Sequence, residues 1–273
     1  MTLRRDHTGT APSAHFGDLL GRRGSTTVAV CIPARDESAT IGAIVSICAA
    51  MARDGEIDEL LVVDDHSSDD TGAIAAAAGA KVYVNDLAIG KGEALQSAID
   101  HTSAELLVFL DADVTNFSRD FVTELVAPLL GDGDVQLVKA KYQRGLEGRP
   151  GEGGRVTEIL AKPLLERFFP ALARLEQPLS GECALRRGAL EGIVLSPRYG
   201  IEIGLLIDIA RSFGSDSIIE VDLGERVHRN RLLRELRGHS KDILDAVLSR
   251  TEANSSKMLG HGSFVQTGPD VSA

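Results

Sequence analysis

The chain of 273 residues contains no tryptophan, and its other aromatic side chains make up only 4% of it. A core without many aromatic rings must be built from aliphatic side chains. The chain also has just three cysteines, which lie in apolar surroundings without the spacing of metal ligands. We therefore expect Cys31, Cys48 and Cys183 to be reduced core residues of a cytoplasmic protein.

Long apolar runs are also absent, and none approaches the ~20 residues that a membrane-spanning helix needs. Residues 1–6 lack the apolar stretch of a signal peptide. Basic residues are outnumbered, with 29 Lys and Arg against 40 Asp and Glu, which gives a net charge of −11. Because so acidic a chain binds phosphate backbones poorly, we expect neither nucleic acid nor a membrane among its partners.

Buried strands and amphipathic helices alternate along most of the chain. Short apolar, β-branched segments predict strands at 28–33, 60–63, 81–84, 106–110, 135–142 and 217–223. Helical spacing predicts helices at 38–53 (with Ser38 as N-cap), 92–101, 119–130, 155–169, 202–213 and 232–250, and an Ala-rich helix after 68–70. Such alternation gives right-handed βαβ units, so we predict an α/β fold with a mostly parallel, Rossmann-like sheet flanked by helices.

Polar and acidic clusters directly follow three of these strands. They are Arg35-Asp36-Glu37, Asp64-Asp65-His66-Ser67 and Asp111-Ala112-Asp113. In open parallel sheets ligands bind beyond the carboxyl ends of the strands, which predicts a site there. Two carboxylates in a tight Asp-x-Asp turn can offer oxygens to a hard divalent cation whose other ligands are water and phosphate oxygens. A solvated acidic loop is the alternative that this pattern alone leaves open.

Two common nucleotide-binding motifs do not fit the sequence. A dinucleotide-binding turn needs Gly-x-Gly-x-x-Gly after the first strand, but residues 33–37 contain no glycine. A P-loop needs Gly-x-x-x-x-Gly-Lys-Ser/Thr, whereas Lys91 is followed by Gly92, and Asn85 occupies the position of the upstream glycine. Both motifs are therefore excluded.

Eight segments, in order along the chain, resemble a known enzyme family. PARDE (33–37), VDDHSSD (63–69), GKGEA (90–94) and FLDAD (109–113) together resemble the nucleotide-sugar half of GT-A-fold glycosyltransferases. GGRVTE (153–158), QPLSGE (177–182), YGIEIGLLID (199–208) and RVHRNR (226–231) resemble the retaining actinobacterial glucosyl-3-phosphoglycerate synthases, which are related to the mannosyl-3-phosphoglycerate synthases. The resemblance covers about residues 28 to 250.

The resemblance implies a GT-A fold with a smaller C-terminal acceptor-binding part. On this basis we divide the chain into a loosely held arm at 1–25, a nucleotide-sugar-binding half at 26–145, an acceptor-binding half with C-terminal helices at 146–255, and a flexible tail at 256–273. The family also implies a homodimer, to which the helix predicted at 232–250 is long enough to contribute.

By resemblance, the strand ends bind the donor nucleotide and its sugar. The nucleotide-sugar-binding residues implied are Pro33, Ala34, Arg35, Asp36, Glu37, Asp65, Lys91, Asp111, Ala112, Tyr199, Gly200, Ile201 and Glu202. The metal, Mg²⁺ or Mn²⁺, would be held by Asp113 and His228, and the catalytic residues implied are Asp113, Glu202 and Lys91. A divalent cation that neutralises a diphosphate makes it a better leaving group, which agrees with the Asp-x-Asp pattern.

The segment around Gly154 is the part of the sequence that indicates binding of the acceptor substrate. Glycines that open a helix leave backbone N–H groups unobstructed, while Arg155 adds a bidentate donor and Thr157 a hydroxyl. This chemistry suits the phosphate of 3-phospho-D-glycerate, and the resemblance implies Gly154, Arg155, Val156, Thr157 and Asn230 as acceptor-binding residues. A flexible loop before an ordinary helix is the structural alternative.

The implied reaction is transfer of glucose from UDP-glucose to the 2-hydroxyl of 3-phospho-D-glycerate, which gives glucosyl-3-phosphoglycerate. The family has Ser-Gly-Ser where this chain has Asp65-His66-Ser67, so GDP-mannose stays open as the donor. A sugar-nucleotide pyrophosphorylase would need a glycine-rich loop after the first strand, and a non-catalytic binding protein would not need Asp111, Asp113, His228 and Arg155 together. No nucleophile stands out, so the family's front-face displacement and a double displacement both remain open.

Overall fold

The computed structural model describes residues 23–146, 149–150, 154–227 and 236–259. Most of the predicted N-terminal arm lies outside these ranges, as do the predicted site residues His228 and Asn230. The predicted tail lies outside them from residue 260 onward.

Strands and helices alternate through the described residues. The strands are β1 (Val28–Ala34), β2 (Glu59–Asp64), β3 (Lys81–Val84), β4 (Leu106–Phe109), β5 (Leu137–Leu146), β6 (Arg149–Pro150), β7 (Cys183–Arg186) and β8 (Ile218–Arg226). The α-helices are α1 (Ile41–Arg53), α2 (Thr71–Ala78), α3 (Lys91–Asp100), α4 (Asp120–Gly131), α5 (Lys162–Phe168), α6 (Ile201–Phe213) and α7 (Leu236–Leu259).

A mixed sheet in the order β3-β2-β1-β4-β7-β5-β6 runs through the molecule, and β8 pairs with β5. Strands β1 to β4 are parallel to their neighbours in this group, and β5 is parallel to β8. Strand β7 runs antiparallel to β4 on one side and to β5 on the other. The predicted α/β architecture with a mostly parallel sheet is therefore confirmed.

Strand β1 illustrates why these strands appear as continuous apolar runs in the sequence. Val28, Val30 and Ile32 pack into the core on one face of the sheet, and Ala29 and Cys31 pack into the core on the other. Helices α1 and α4 cover the first face, while α3, α6 and α7 cover the second. Since both faces are buried, the polar residues come after the carboxyl end of the strand rather than within it.

The sequence does not predict strand β7. Residues 178–182 predict a turn, and the short strand that follows them carries no strand pattern of its own. It becomes a strand because Cys183 pairs with Phe109 of β4 and also with Lys139 of β5. Both partners are distant along the chain, so local patterns do not report this pairing.

Helix α1 begins later than the sequence predicts. Thr40, not Ser38, occupies its N-cap position, and its hydroxyl donates to the carbonyl of Ala112 at 2.6 Å instead of capping the helix. The N–H of Ser38 donates to Asp69 Oδ2 at 3.1 Å. Both residues thus tie the end of β1 to neighbouring strand ends, which is tertiary information that a capping rule does not contain.

Two later helices also differ from their predictions. The helix predicted at 155–169 begins at residue 155 as predicted, but it contains a π-helical turn, Thr157–Ala161, before α5 starts. Helix α7 continues to Leu259, beyond the predicted end at residue 250. No helix in the described part of the chain is long and apolar enough to cross a membrane.

Candidate active site

A cavity of about 530 Å³ opens at the carboxyl ends of β1, β2 and β4. Most residues that the sequence predicts for donor and acceptor binding line it together. These are Pro33, Ala34, Arg35, Glu37, Asp65, Lys91, Asp111, Ala112, Asp113, Gly154, Arg155, Val156, Thr157, Tyr199 and Glu202. Residues far apart in sequence, from both predicted halves, therefore share one space.

Three residues predicted to bind the nucleotide sugar do not line this cavity. Asp36 is exposed, and its carboxylate accepts hydrogen bonds from the N–H and hydroxyl of Ser68, which lower its pKa. Gly200 packs against α7, where an added Cβ would lie 2.9 Å from the carbonyl oxygen of Asp242. Ile201 belongs to the hydrophobic core. These residues shape the loops around the cavity.

Lys91, the first residue of α3, links two carboxylates in the cavity. Its Nζ lies 2.6 Å from Asp111 Oδ1 and 2.7 Å from Glu202 Oε1. Burial alone would lower the pKa of Lys91, but attraction to Asp111 and Glu202 outweighs it and holds the pKa well above its usual range. Lys91 is therefore a fixed cation, and Glu202 is turned toward the cavity centre.

Arg226, the last residue of β8 and the first of the RVHRNR motif, is a second fixed cation, and the sequence placed it among the basic residues near the proposed anionic ligands without giving it a site role. Its Nη2 donates to Asp111 Oδ2 at 2.8 Å and to Asp113 Oδ1 at 2.9 Å. Burial would lower the pKa of Arg226, but Glu182 first, and then Asp111 and Asp113, raise it above its usual range. The sequence did not predict its contacts with Asp111, Asp113 and Glu182.

The buried turn before β7 carries Gly181 and Glu182 up to the two aspartates. Glu182 Oε1 lies 2.8 Å from Arg226 Nε, a charge contact without the alignment of a hydrogen bond. A Cβ added to Gly181 would lie 2.3 Å from Asp111 Oδ1 and 2.6 Å from Lys91 Nζ. Only glycine allows the chain to pass this close to the charged groups.

Asp65 marks one end of the cavity, where it is held by a buried amide. Its Oδ1 accepts hydrogen bonds from Asn85 Nδ2 at 2.7 Å and from the N–H of Gly90 at 3.2 Å. Asn85 is fully buried, and its Oδ1 accepts the N–H of Leu87 at 3.1 Å. The orientation of Asp65 is therefore fixed before any ligand arrives.

The segment around Gly154 lines the opposite part of the cavity, together with the start of α7. Gly154 has φ +78°, a left-handed conformation, and its carbonyl accepts the N–H of Glu158 at 3.1 Å. The residues after it, Arg155 and Thr157, both line the cavity. The ring of His239, near the start of α7, stacks on Tyr199 with a centroid distance of 3.4 Å. His239 and the neighbouring Arg198 are cavity residues that the sequence reasoning missed.

The aspartates could contribute to a metal site, but they do not complete one alone. Among the described residues, no group of three or more His, Cys, Asp or Glu is arranged to hold an ion. The four carboxylates of Asp111, Asp113, Glu182 and Glu202 exceed the two cations Lys91 and Arg226 by two charges. A divalent cation would balance this excess, and carboxylate oxygens are the ligands that hard cations prefer.

The segment that leads to His228 is tied to the Asp-x-Asp loop. Val227 accepts a hydrogen bond at its carbonyl from the N–H of Thr115 at 3.0 Å, and it donates its own N–H to Asn116 Oδ1 at 2.9 Å. Thr115 is two residues after Asp113. Hydrogen bonds therefore join the Asp-x-Asp loop to Val227, the residue directly before His228.

The fold and this site define a glycosyltransferase of the GT-A class. The profile of Glycosyl transferase family 2 matches residues 29–193, more than half of the chain. Within that class, the chain belongs to the glucosyl-3-phosphoglycerate synthase family. A glucosyl-3-phosphoglycerate synthase of Mycobacterium tuberculosis (strain ATCC 25618 / H37Rv) is 40% identical, over 99% of this chain and 87% of the relative.

Solved structures agree with this assignment. The crystal structure of the M. tuberculosis synthase in complex with Mn²⁺, UDP-glucose and phosphoglyceric acid has a TM-score of 0.81 and 42% identity, and the match covers 88% of this chain and 85% of that chain. The crystal structure of the same synthase in complex with Mg²⁺ and UDP has a TM-score of 0.82 and 40% identity, and the match covers 89% of this chain and 85% of that chain. The family and the GT-A fold that the sequence motifs indicate are both confirmed.

Proposed function

We propose that this enzyme transfers glucose from UDP-glucose to the 2-hydroxyl of 3-phospho-D-glycerate, with Mg²⁺ or Mn²⁺, and releases glucosyl-3-phosphoglycerate and UDP. The observation that carries this proposal is that one cavity is lined by Asp111, Asp113, Lys91 and Glu202 and also by Arg155. Relatives of the same family have been crystallised with UDP-glucose, a divalent cation and phosphoglyceric acid.

The donor base is the point at which UDP-glucose and GDP-mannose differ most. Asp65 Oδ1 already accepts two hydrogen bonds, from Asn85 and Gly90, so its other oxygen is the one best placed to accept a base N–H. Uracil offers one such N–H, whereas guanine presents two adjacent donors that suit both oxygens of a carboxylate. This arrangement supports a uridine nucleotide, and GDP-mannose is retained as the alternative donor.

The fixed cations explain how the donor diphosphate could be bound and activated. Lys91 and Arg226 flank the Asp-x-Asp carboxylates and can attract phosphate oxygens. Asp113 and His228 would hold the metal, which when bound neutralises the diphosphate and makes it a better leaving group. Glu202, oriented by Lys91, can accept hydrogen bonds from sugar hydroxyls. Asp111, held by Lys91 and Arg226, would contact the ribose and phosphate of the nucleotide.

The acceptor would bind where Gly154, Arg155, Val156 and Thr157 line the cavity. A guanidinium and a hydroxyl beside unobstructed N–H groups suit a phosphate, and Asn230 would assist them. For retention of configuration we favour front-face displacement, in which the acceptor oxygen attacks the anomeric carbon while the departing diphosphate takes its proton. The central carboxylates support this choice, because Lys91 and Arg226 already engage them and weaken them as nucleophiles.

A product assay tests the proposal directly. Wild-type protein with Mg²⁺ and 3-phospho-D-glycerate should form glucosyl-3-phosphoglycerate from UDP-glucose and no hexosyl product from GDP-mannose. Asp113→Ala should lose metal-dependent turnover, whereas Arg155→Ala should mainly raise the KM for 3-phospho-D-glycerate. Product from GDP-mannose alone would overturn the glucosyl assignment, and an unchanged acceptor KM in Arg155→Ala would show that the phosphate site is misplaced.

We also infer a cytoplasmic, homodimeric enzyme. The three cysteines are buried free thiols, as suits a reducing compartment. Leu244 and Leu248, one turn apart on α7, are exposed apolar side chains that could pack against a second copy. Light scattering measures the mass in solution, and a monomer at micromolar concentration would refute the dimer.

A further inference from the structure

The guanidinium of Arg226 is held on three sides by side chains that differ in chemistry. Its Nη2 bridges Asp111 and Asp113, its Nε faces Glu182, and its Cζ lies 5.2 Å from the centre of the Tyr142 ring. The Glu182 side chain has no exposed surface, and its Oε2 accepts the Tyr142 hydroxyl at 2.8 Å. A buried carboxylate of this kind is costly unless its partners satisfy it.

The three residues around this contact come from neighbouring strands of the central sheet. Tyr142 lies in β5, which pairs with β8, and Arg226 ends β8. Glu182 directly precedes β7, and its carbonyl accepts the N–H of Ala140 of β5 at 3.0 Å. Rigid strands rather than loops therefore set the position of the arginine.

We propose that Glu182 and Tyr142 are positioning residues that keep Arg226 in place when Asp113 exchanges its arginine contact for the metal of the donor complex. The proposal rests on the proposed function. Nη2 of Arg226 contacts Asp113 Oδ1, and a divalent cation held by Asp113 would compete with it for this carboxylate, because both are cations. Glu182 and the Tyr142 ring provide the arginine with other partners, so that it can release Asp113 without leaving the site.

The proposal predicts how the competition changes when Glu182 loses its charge. Glu182→Gln preserves the shape of the side chain but removes the anion that faces Nε. Arg226 then keeps the Tyr142 ring but loses the anion at Nε, so it should hold Asp111 and Asp113 more strongly and oppose metal binding at Asp113. Tyr142→Phe keeps the ring under the guanidinium and removes only the hydroxyl that orients Glu182, so its effect should have the same direction and be smaller.

Calorimetric titration of the full chain with UDP, with and without Mn²⁺, tests this without relying on turnover. In Glu182→Gln we expect UDP affinity in the presence of Mn²⁺ and the affinity for Mn²⁺ itself to fall about tenfold, and about threefold in Tyr142→Phe, as for groups that orient metal ligands. UDP affinity without metal should change less than twofold. Thermal unfolding of each variant shows whether it is folded.

Glu56→Gln is the matched control, since Glu56 is a buried carboxylate paired with Arg119 that does not line the cavity. It should change stability but not the metal dependence of UDP binding. The proposal is overturned if Tyr142→Phe and a folded Glu182→Gln keep wild-type Mn²⁺ dependence, or if UDP affinity falls equally with and without metal. Failure of the wild-type protein to make product from UDP-glucose would instead refute the proposed function.

Discussion

At the scale of single residues, the smallest side chain in the site carries one of the strictest requirements. Gly181 lets the turn before β7 pass against Asp111 and Lys91, and any Cβ there would overlap both. A larger residue at position 181 would displace the carboxylate of Asp111 or the ammonium group of Lys91. Because these two groups are in contact, moving one disturbs the other.

Gly181→Ala should therefore reduce kcat by about a hundredfold or more, since displacements near 1 Å in an active site have effects of this size. Steady-state kinetics with both substrates measure the change, and circular dichroism checks the fold. Gly188→Ala is the control, because nothing lies within 4 Å of a Cβ added there. Full activity in Gly181→Ala would mean that the charged cluster can shift without consequence.

A second prediction concerns Asn85, which touches the cavity only through Asp65. Asn85→Ala removes one of the two donors to Asp65 Oδ1, so we expect UDP affinity to fall about tenfold, the value of one hydrogen bond to a charged group. Oδ1, which then keeps only the N–H of Gly90, can accept a second base N–H, so the ratio of UDP affinity to GDP affinity should fall. Competition binding of both nucleotides measures it, with Gln96→Ala on the exposed side of α3 as control. If the ratio of UDP affinity to GDP affinity stays the same, Asp65 does not select the base.

The sequence predicts the aspartates, Lys91 and Glu202, because each lies in a motif at the end or start of an element. It does not predict that Arg226 bridges Asp111 and Asp113, or that Glu182 lies behind it. The contacts of Arg226 with the two aspartates join residues more than a hundred positions apart, and neither periodicity nor spacing reports side-chain geometry over that distance. Family resemblance indicated which residues belong to the site, and the structure shows which of their side chains contact one another.

At the scale of elements, helices α6 and α7 are joined by a charged contact behind the cavity. Asp208 of α6 accepts hydrogen bonds from Nε of Arg250, at 2.9 Å, and from its Nη2. Both side chains are largely buried. This pair explains a carboxylate in an otherwise apolar helix, and it fixes the helix that carries His239 into the cavity.

Asp208→Asn should lower the free energy of unfolding by about 1–3 kcal/mol, because it leaves a buried guanidinium with a weaker acceptor. Asp245→Asn removes an exposed ion pair with Lys241 within α7, and it should lower the free energy of unfolding by less than about 0.5 kcal/mol. Urea unfolding of both variants compares the two values. Equal effects would show that the contact between helices adds no more than a surface ion pair.

Element boundaries were the least predictable part of the fold. The parallel strands β1, β2 and β4 were evident because both of their faces are buried, which leaves uninterrupted apolar runs. Strand β7 and the π-helical turn at Thr157–Ala161 were not, since pairing and packing with distant segments decide them.

At the scale of the whole molecule, net charge and local charge differ. The chain carries −11 overall, yet Lys91, Arg155, Arg198 and Arg226 all line the cavity. Composition correctly described an acidic chain and an aliphatic core, but it could not show that these cations share one cavity. Arg226 reaches the cavity from a strand end and the other three from helical segments, so the folded chain brings them together.

The cysteines allow a prediction for the molecule as a whole. Burial raises the pKa of Cys31 and Cys48 to about 12 and that of Cys183 to about 11. Because the thiolate is the reactive form, at pH 8 only about one thiol in ten thousand of the first two would be ionised. The native enzyme should therefore resist iodoacetamide at pH 8 and react at all three sites in urea, as mass spectrometry can measure. Rapid labelling of the native protein would contradict the burial.

The division of labour within the cavity has a practical consequence for protein engineering. The charged groups beside the proposed leaving diphosphate are anchored at strand ends and at the start of α3, whereas the proposed acceptor surface includes the short segment of residues 154–157. We expect that replacing those few acceptor residues, with the sheet left intact, can redirect the enzyme to other small phosphorylated alcohols while it keeps the same sugar donor.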